Sequence, residues 1–387
     1  MRPSAPSNSS RAWLGVVALA AGCGFNSKPG TQPDGGIEPL DGAPGGGSAG
    51  CYGPDGWRVC LDAAPSQPIS LTGMLDTDKS DAKNPCAKQQ PAGWTDALQP
   101  EACFVVGTTV TVVSLDVTGR RPLVIVGTTG ISVMSLLDVG SHRMPHAVGP
   151  GAGPTECKMF ARAPGSGQGG GGGAGGSFAF AGADGGTGNG VFEVGGLVSG
   201  SDIGPPARLR GGCAGQPGGR GKPDDAGAGG GAVYLVSGGA ISIPGKIDAS
   251  GAGGGGGDAT DGGGGGGAGG MIVLHGASIA TTSSTILLAD GGGGGGGGSF
   301  GGPKGDDGED PAVAIPIAPA PGGPGGVVIG ATGGNGGGGF SAAIAATIGM
   351  SGDTGAGGGG GGGGGGYIQT NHDLKTAVTS PFATIPP

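Results

Sequence analysis

Cysteine is the residue type whose number and spacing first suggest chemistry in this chain. Seven occur, and one of them, Cys23, lies apart from the others near the N-terminus. The remaining six are Cys51, Cys60, Cys86, Cys103, Cys157 and Cys213. None belongs to a CxxC pair and none has a histidine at zinc-ligand spacing, so we predict no metal site there. An even number predicts disulfides in an oxidising compartment, most simply local pairs among the first four and one between the last two; free buried thiols are the alternative.

Two aspartates resemble the start of a calcium-binding loop. Asp76 and Asp78 have the alternate spacing of the first ligands in such a loop. The pattern fails at the sixth position, where Asp81 replaces glycine, and at the twelfth, where Ala87 replaces a bidentate glutamate. We therefore interpret Asp76 and Asp78 as part of a solvated turn and predict no metal ligation.

Three further aspartates, Asp138, Asp248 and Asp290, end alternating apolar segments. A carbohydrate-active enzyme would need such carboxylates aligned beside an open groove, with basic or aromatic groups on the same face. The surrounding segments carry almost none of these groups, so we predict a non-enzymatic protein without a cofactor. The acidic stretches 258–261 and 306–310 are interpreted as solvated surface, with calcium binding as the alternative.

The four histidines are scattered along the chain. His142 and His146 are four residues apart, but Pro145 disfavours the helix that would bring their rings together. We predict that both are exposed loop residues. His275 is expected to point outward from its strand, and His372 to stand without a partner.

Cys23 ends a segment with the layout of an export signal. Arg2 and Arg11 form a basic region, and a short apolar stretch ends in "LAAGC". This resembles the lipobox of bacterial lipoproteins, whose cysteine is lipidated and begins the mature chain. The resemblance implies a signal peptide over 1–22, lipidation of Cys23 and, because glycine rather than aspartate follows, an outer-membrane or cell-surface location. An ordinary signal peptide with a chance cysteine is the alternative.

Composition divides the rest of the chain and limits its partners. A Gly/Pro-rich linker over 23–50 precedes a segment of ordinary composition, 51–120, interpreted as a disulfide-stapled β cap. The formal net charge of −9 disfavours nucleic acid and anionic membranes as partners, since both require a basic surface. We expect attachment to the membrane through the lipid anchor, with envelope polysaccharide or other surface proteins as partners.

The region 121–387 contains an internal repeat. The segment Leu123–Ser141 aligns without a gap on Val233–Gly251, which places Ile131 on Ile241. Apolar alternation rich in β-branched residues predicts half-buried strands, and one copy cannot bury its apolar face alone. We therefore predict a mostly β, repetitive fold, of the parallel β-helix or stacked-strand solenoid type, with little or no helix outside the signal peptide. A sandwich of antiparallel hairpins is the alternative.

The same pattern predicts three more copies. A third is aligned so that Met271 takes the place of Val233. A degenerate fourth copy is assigned to 327–352, and a truncated fifth begins at Tyr367. The charged and Pro-rich stretch 302–326 breaks the pattern and is predicted to be an exposed excursion.

Glycine accounts for 105 of the 387 residues and is concentrated in tracts. The tracts are 169–176, 253–257, 262–267, 291–298, 336–339 and 357–366. Such a composition usually indicates disorder. Recurrence of the tracts in register with the strands favours ordered polyglycine in the polyproline-II conformation, which has three residues per turn; flexible loops are the alternative. If 291–298 is packed in this way, positions that reject a larger side chain should recur with a period of three.

Strand ends that lead into glycine runs occur twice, as "KIDASGAGGGGG" (Lys246–Gly257) and "LLADGGGGGGGG" (Leu287–Gly298). With "LRGGCAGQPGG" (Leu209–Gly219), they resemble segments of the glycine-rich surface lipoproteins of the myxobacterial type. The resemblance implies a cell-envelope location and a repetitive β architecture, and it carries over no site residues. We predict a non-enzymatic cell-surface lipoprotein with a structural or adhesive role. A carbohydrate-active or calcium-stabilised carbohydrate-binding β-helix protein is the alternative.

Overall fold

Regular secondary structure in this protein is almost entirely β-strand. The computed structural model describes residues 50–81, 83–87, 89–157, 161–190, 192–197, 206–342 and 344–386. Within these ranges one α-helix, α1, spans Ala92–Asp96 and a 3-10 turn spans Pro223–Asp225. The prediction of a mostly β protein with almost no helix is confirmed for this part of the chain. The predicted signal peptide, Cys23 and the linker up to residue 49 lie outside the described residues.

The strands, in chain order, are β1 (Cys51–Tyr52), β2 (Val59–Cys60), β3 (Ile69–Asp76), β4 (Cys103–Thr118), β5 (Leu123–Val133), β6 (Leu136–Asp138), β7 (Gly165–Ser166), β8 (Gly169–Gly170), β9 (Ala232–Ser237), β10 (Ala240–Ile243), β11 (Lys246–Asp248), β12 (Met271–His275), β13 (Ser278–Thr281), β14 (Ile286–Leu288), β15 (Tyr367–Thr370) and β16 (Val378–Ser380). Twelve of them form one sheet whose neighbours all run parallel. The pairs β1–β2 and β7–β8 are separate and antiparallel.

The large sheet is arranged in three rows of strands. The first row contains the start of β5, then β9, β12 and β15; the second contains the end of β5, then β10 and β13. The third contains β6, β11, β14 and β16. β4 pairs with strands of all three rows, and β3 pairs with β4. Ile131 pairs with Ile241 and Asp138 with Asp248, so the gapless alignment of the first two copies is the observed strand register.

The third copy differs from its predicted alignment by one residue. Met271 pairs with Ala232, and Ile272 takes the position opposite Val233. In the second row, Ile279 pairs with Ile241 as expected. The connection between the first and second rows is therefore one residue shorter in this copy, a change that a gapless comparison cannot detect.

The fourth predicted copy is wrong, whereas the truncated fifth is confirmed. No strand occurs among the described residues of 327–352, and Val327 and Ile329 are largely exposed. Ile329 lies in a turn, and neither residue belongs to a strand along which apolar side chains could alternate. β15 and β16 continue the first and third rows beyond β12 and β14.

The apolar core lies between the three rows. Leu123, Ile131 and Leu137, one from each row, belong to the same buried cluster. The first row is buried on both faces, because the alternate residues of β9 pack against a second cluster that contains Trp57 and Trp94. Burial on both faces accounts for the near-continuous apolar runs in this row. At the end of this row the chain bends sharply. The bend requires glycine at position 127, because a side chain there would lie 2.2 Å from the Gly130 carbonyl oxygen.

The segment interpreted as a cap contributes to the same sheet. Trp57 meets Tyr234 edge to face, with ring centroids 5.8 Å apart, and Trp94 stacks on Tyr234 at 6.2 Å. β1, β2 and α1 thus cover the outer face of the first row. Because β3 pairs with β4 and β4 pairs with β5, the main sheet begins at Ile69, before the predicted boundary at residue 120.

The glycine tracts are buried and linked to one another by backbone hydrogen bonds. Successive N–H groups of the tract 262–267 bond to three different neighbouring segments in turn, and the cycle repeats every third residue. The acceptors for Gly262 to Gly267, in order, are Gly219, Gly358, Gly255, Gln216, Gly361 and Ala252. The tract therefore has neighbours on three sides.

The tract 291–298 has the same three-residue cycle of neighbours but no open position. A side chain at any of its eight glycines would lie 2.0–2.2 Å from a backbone carbonyl oxygen. These oxygens belong in turn to the segments 357–363, 252–259 and 321–324. The expected alternation of tolerated and rejected positions is therefore wrong for this tract, because neighbouring backbones enclose it completely.

Candidate functional site

The six cysteines from Cys51 onward form three disulfides, as predicted. Cys51 is bonded to Cys60 and joins β1 to β2. Cys86 is bonded to Cys103 at the start of β4, and Cys157 to Cys213 in the glycine-rich region. Disulfides persist in oxidising compartments, so all three are consistent with an exported protein.

Asp76 and Asp78 pair with basic side chains. Asp76 lies 2.9 Å from the ammonium of Lys79, and the hydrogen bond from Lys79 lowers the pKa of Asp76. Asp78 lies 3.1 Å from the guanidinium of Arg120. Both carboxylates also accept backbone N–H groups, an arrangement typical of a solvated turn.

A line of carboxylates follows the third row of strands. Asp116, Asp138 and Asp248 are paired in register across β4, β6 and β11. Asp290 does not belong to this line: Leu288 pairs with Asp248, and Asp290 lies two residues further on. Like charges on adjacent strands repel one another, so these side chains need compensating partners.

His142 supplies part of that compensation. Its Nε2 atom lies 3.0 Å from Asp138, and its Nδ1 atom lies 3.6 Å from Asp310. Because a carboxylate only accepts hydrogen bonds, the contact to Asp138 places a proton on Nε2, and the second carboxylate beside Nδ1 favours the charged form of the ring. The contacts to Asp138 and then Asp310 raise the pKa of His142 to about 10. The prediction of an exposed loop histidine is wrong for His142, although His146 is exposed.

Arg143 and the segment 305–310 complete the cluster. The Arg143 guanidinium lies 3.2 Å from Asp307 and donates to the Asp224 carbonyl oxygen at 2.7 Å. Asp307 and Asp310 also accept N–H groups from the glycine tract 253–257. The interpretation of 306–310 as solvated surface, within an exposed excursion, is wrong for these two aspartates. Their charges attach the segment to the tract.

Two members of the cluster are closed off from water. Asp248 and Asp290 are each 1% exposed. Burial, then the charge of Asp138, raises the pKa of Asp248 to about 6. Burial raises the pKa of Asp290 to about 8, against the hydrogen bond that Ser380 donates to it. Asp290 also donates its backbone N–H to Ser250 at 3.3 Å, so these groups link β11, β14 and β16.

Burial determines what these carboxyls can do chemically. A general acid with a raised pKa catalyses a reaction only if a substrate can reach its proton. Asp248 and Asp290 face neighbouring strands, and Asp290 bonds to serines on both sides. Among the described residues, no group of three or more His, Cys, Asp or Glu side chains is arranged to hold a metal ion. The cluster joins the sheet to the glycine tracts.

Sequence reasoning missed Arg143, Ser250 and Ser380. The repeated aspartate at positions 138 and 248 was the one signal for a carboxylate line, because equivalent positions in stacked copies must lie side by side. Nothing in the local sequence shows that the segment 305–310 returns to meet His142. That contact joins residues more than 160 positions apart.

The remaining histidines lie at the far end of the sheet. Burial, and then the charge of His372, lowers the pKa of His275. His372 is 3.0 Å from the Gly276 carbonyl oxygen through Nε2. The expectation that His372 has no partner is therefore wrong, and His275 is only partly exposed.

Within the described ranges, no helix has the length and apolar character needed to cross a bilayer. Comparison of the chain with protein-family models, curated proteins and solved structures gives no match.

Proposed function

We propose that this chain is a non-enzymatic, lipid-anchored protein of the cell envelope, with a structural or adhesive role at the cell surface. The observation that carries the proposal is that the ionisable side chains of the cluster make contacts within the fold. His142, Asp307 and Asp310 join one part of the fold to another, and Asp248 and Asp290 are buried between strands. The three disulfides are what an exported protein would carry.

The architecture we propose is a parallel β-solenoid that carries packed polyproline-II helices. Five successive positions along the first row, Cys103, Leu123, Val233, Ile272 and Ile368, are in register and buried, which supports stacked coils. The three-residue cycle of hydrogen-bond partners in the glycine tracts is the period of a polyproline-II helix. Without side chains, neighbouring helices can pack backbone to backbone.

This architecture suits a structural role. Backbone hydrogen bonds connect the tracts in three directions, and the charged cluster joins them to the sheet. Such a body can hold loops at fixed positions away from an anchored N-terminus, with envelope polysaccharide or other surface proteins as partners. A carbohydrate-active or calcium-stabilised carbohydrate-binding protein ranks second, because Asp76 and Asp78 are already ion-paired and Asp248 and Asp290 are enclosed.

The anchor is tested by Cys23→Ser, because the serine hydroxyl cannot replace the thiol in lipidation. Cells that express the variant should release the protein from the membrane fraction, whereas wild-type protein should stay there through a carbonate wash. Ser27→Ala, in the linker that follows, is the matched control and should remain in the membrane fraction. Retention of Cys23→Ser after the wash would contradict lipid anchoring. Protease treatment of whole cells then reports whether the wild-type protein faces outward.

A further inference from the structure

The sheet ends at β15 and β16 in a surface rich in apolar side chains. Phe180, Ile317, Ile344, Phe382 and Ile385 are between 42% and 71% exposed. We call these five residues the end face. They come from distant segments of the chain, and only Phe382 and Ile385 follow the last strand directly.

Contacts between these segments show that the end face is one surface. The Ser341 hydroxyl donates to the Ile317 carbonyl oxygen at 2.9 Å, and the Ala342 N–H donates to Ser380 Oγ at 2.5 Å. Phe180 stacks on Phe340, with ring centroids 4.5 Å apart. Phe180 and Phe382 line the same pocket. The exposed side chains therefore surround the end of the third row.

An apolar end is unusual for a stack of repeats. Terminal repeats usually present a polar outer face, since nothing stacks on them. Soluble monomers rarely expose contiguous apolar patches larger than a few hundred Å², and each phenylalanine ring alone contributes about 150–250 Å² when it becomes fully buried. An end face with two phenylalanines and three isoleucines is therefore of the scale of a binding surface.

The charge distribution favours a second copy of the same chain as the occupant. The whole chain has a formal net charge of −9, so two copies repel each other over most of their surfaces. The segments 311–320 and 340–350 contain no Asp, Glu, Lys or Arg, and 367–386 contains only Asp373 and Lys375. Contact through this end therefore brings few like charges of the two copies together.

The end face carries a projecting ring between two hollows. Phe382 projects between two hollows, a pocket of about 240 Å³ beside Phe180, Tyr367 and Ile368, and one of about 160 Å³ beside Leu374 and Ile385. A projection and a hollow on the same surface can satisfy each other when two copies are related by a two-fold axis, because each then supplies both.

We propose that the end face is a homodimer interface. The Phe382 ring of each copy enters the pocket beside Phe180 of the other, and Asp373 of each copy lies opposite Lys375 of the other. The dimer does not depend on the lipid anchor, so it goes beyond the proposed function and can fail or hold independently of it.

The test is sedimentation velocity on the full-length chain over a series of concentrations, with Cys23→Ser measured in parallel to separate dimerisation from association through lipid. We expect a dimer in both. Phe382→Asp places a charge in the partner pocket and should weaken dimerisation about thirtyfold or more, as removal of a central anchor does. Phe192→Asp is the matched control, since Phe192 is equally exposed in a segment away from the end face, and it should leave the dimer intact.

A charge exchange tests the orientation of the two copies. Asp373→Lys should weaken the dimer because it places lysines opposite one another, and the double variant Asp373→Lys/Lys375→Asp should restore it. The proposal is overturned by a wild-type chain that stays monomeric, by assemblies larger than a dimer, or by a Phe382→Asp variant that still dimerises. Binding of a monomeric wild type to phosphatidylcholine vesicles, lost in Phe382→Asp, would assign the face to a lipid surface instead.

Discussion

The strand rows and the glycine tracts are both buried, but they are packed by different means. In the rows, side chains such as those of Val233 and Ile241 fill the interior and are fully enclosed. In the tracts, backbone lies directly against backbone. A side chain at Gly295 would lie 2.1 Å from the Gly255 carbonyl oxygen, so there is no interior space to fill.

Two kinds of sequence constraint therefore operate in one chain. A strand core tolerates exchange among apolar residues of similar volume, because the total volume and the alternation pattern matter most. A tract enclosed by backbone tolerates no side chain, however apolar, because the clash is with atoms that cannot turn away. The rows depend on what their side chains are, and the tracts depend on having none.

The largest effect is expected from a charge in the strand core. Ile241→Asp buries an unpaired carboxylate and should lower the free energy of unfolding by roughly 3–5 kcal/mol. Ala240→Asp is the control, because Ala240 is the preceding residue in the same strand and is exposed. Its effect should stay within about 0.5 kcal/mol. Chemical denaturation measures both, and equal stability of the two variants would contradict the observed facing of β10.

The next-largest loss of stability is expected when a side chain is introduced into a glycine tract, where backbone packs against backbone. Gly295→Ala should destabilise the chain by about 1–3 kcal/mol or more, because its methyl group meets the Gly255 backbone. Gly338→Ala is the matched control in another tract, where the nearest atom would lie at an ordinary 3.5 Å. That change should be neutral or slightly stabilising, since alanine restricts the unfolded chain.

Hydrogen exchange measures the same contrast in the unmodified chain. The Gly295 N–H donates to the Gly264 carbonyl oxygen and should be protected from exchange. Exchange of the tract 291–298 at the rate of an unfolded chain, together with a harmless Gly295→Ala, would reduce the tract to a spacer. The strand rows would then be the only packed part of the fold.

A further effect is expected at the junction of the two regions, where stability should depend on pH. The folded-state pKa values of Asp248, Asp290 and His142 are about 6, 8 and 10, against 3.8, 3.8 and 6.5 for the unconstrained groups. Each group thus binds its proton more tightly in the folded chain, so its contribution is fully present below the unfolded pKa and is lost as pH rises through the folded pKa. The free energy of unfolding should therefore fall by a few kcal/mol from about pH 4 to pH 10.

Asp290→Asn identifies the largest source of this dependence. The amide keeps an oxygen that can accept from Ser380 but does not ionise, so the decline between about pH 4 and pH 8 should become shallower. Asp116→Asn is the control: Asp116 is exposed in the same line of carboxylates, and water solvates it in both states. Denaturation at several pH values measures the slopes. Identical slopes for wild type and Asp290→Asn would show that this carboxyl does not titrate differently on folding.

The junction also shows what the sequence could and could not predict. The gapless match of Leu123–Ser141 to Val233–Gly251 predicted the observed strand register, because parallel copies place equivalent residues side by side. The same comparison assigned a copy to 327–352, where apolar residues occur without strand alternation. Apolar content is a local property, but its use in a strand depends on a neighbour to pair with.

The sequence by itself determined the strand pattern, the availability of six cysteines for disulfides and the location of the glycine tracts, because periodicity and composition act over neighbouring residues. The tertiary structure alone decided that Asp310 meets His142 and that Asp290 is enclosed by Ser250 and Ser380. These contacts join segments far apart in the chain. A carboxylate whose own segment predicts exposure to water can be buried when a distant strand packs against it. Local sequence patterns carry no information about such long-range contacts.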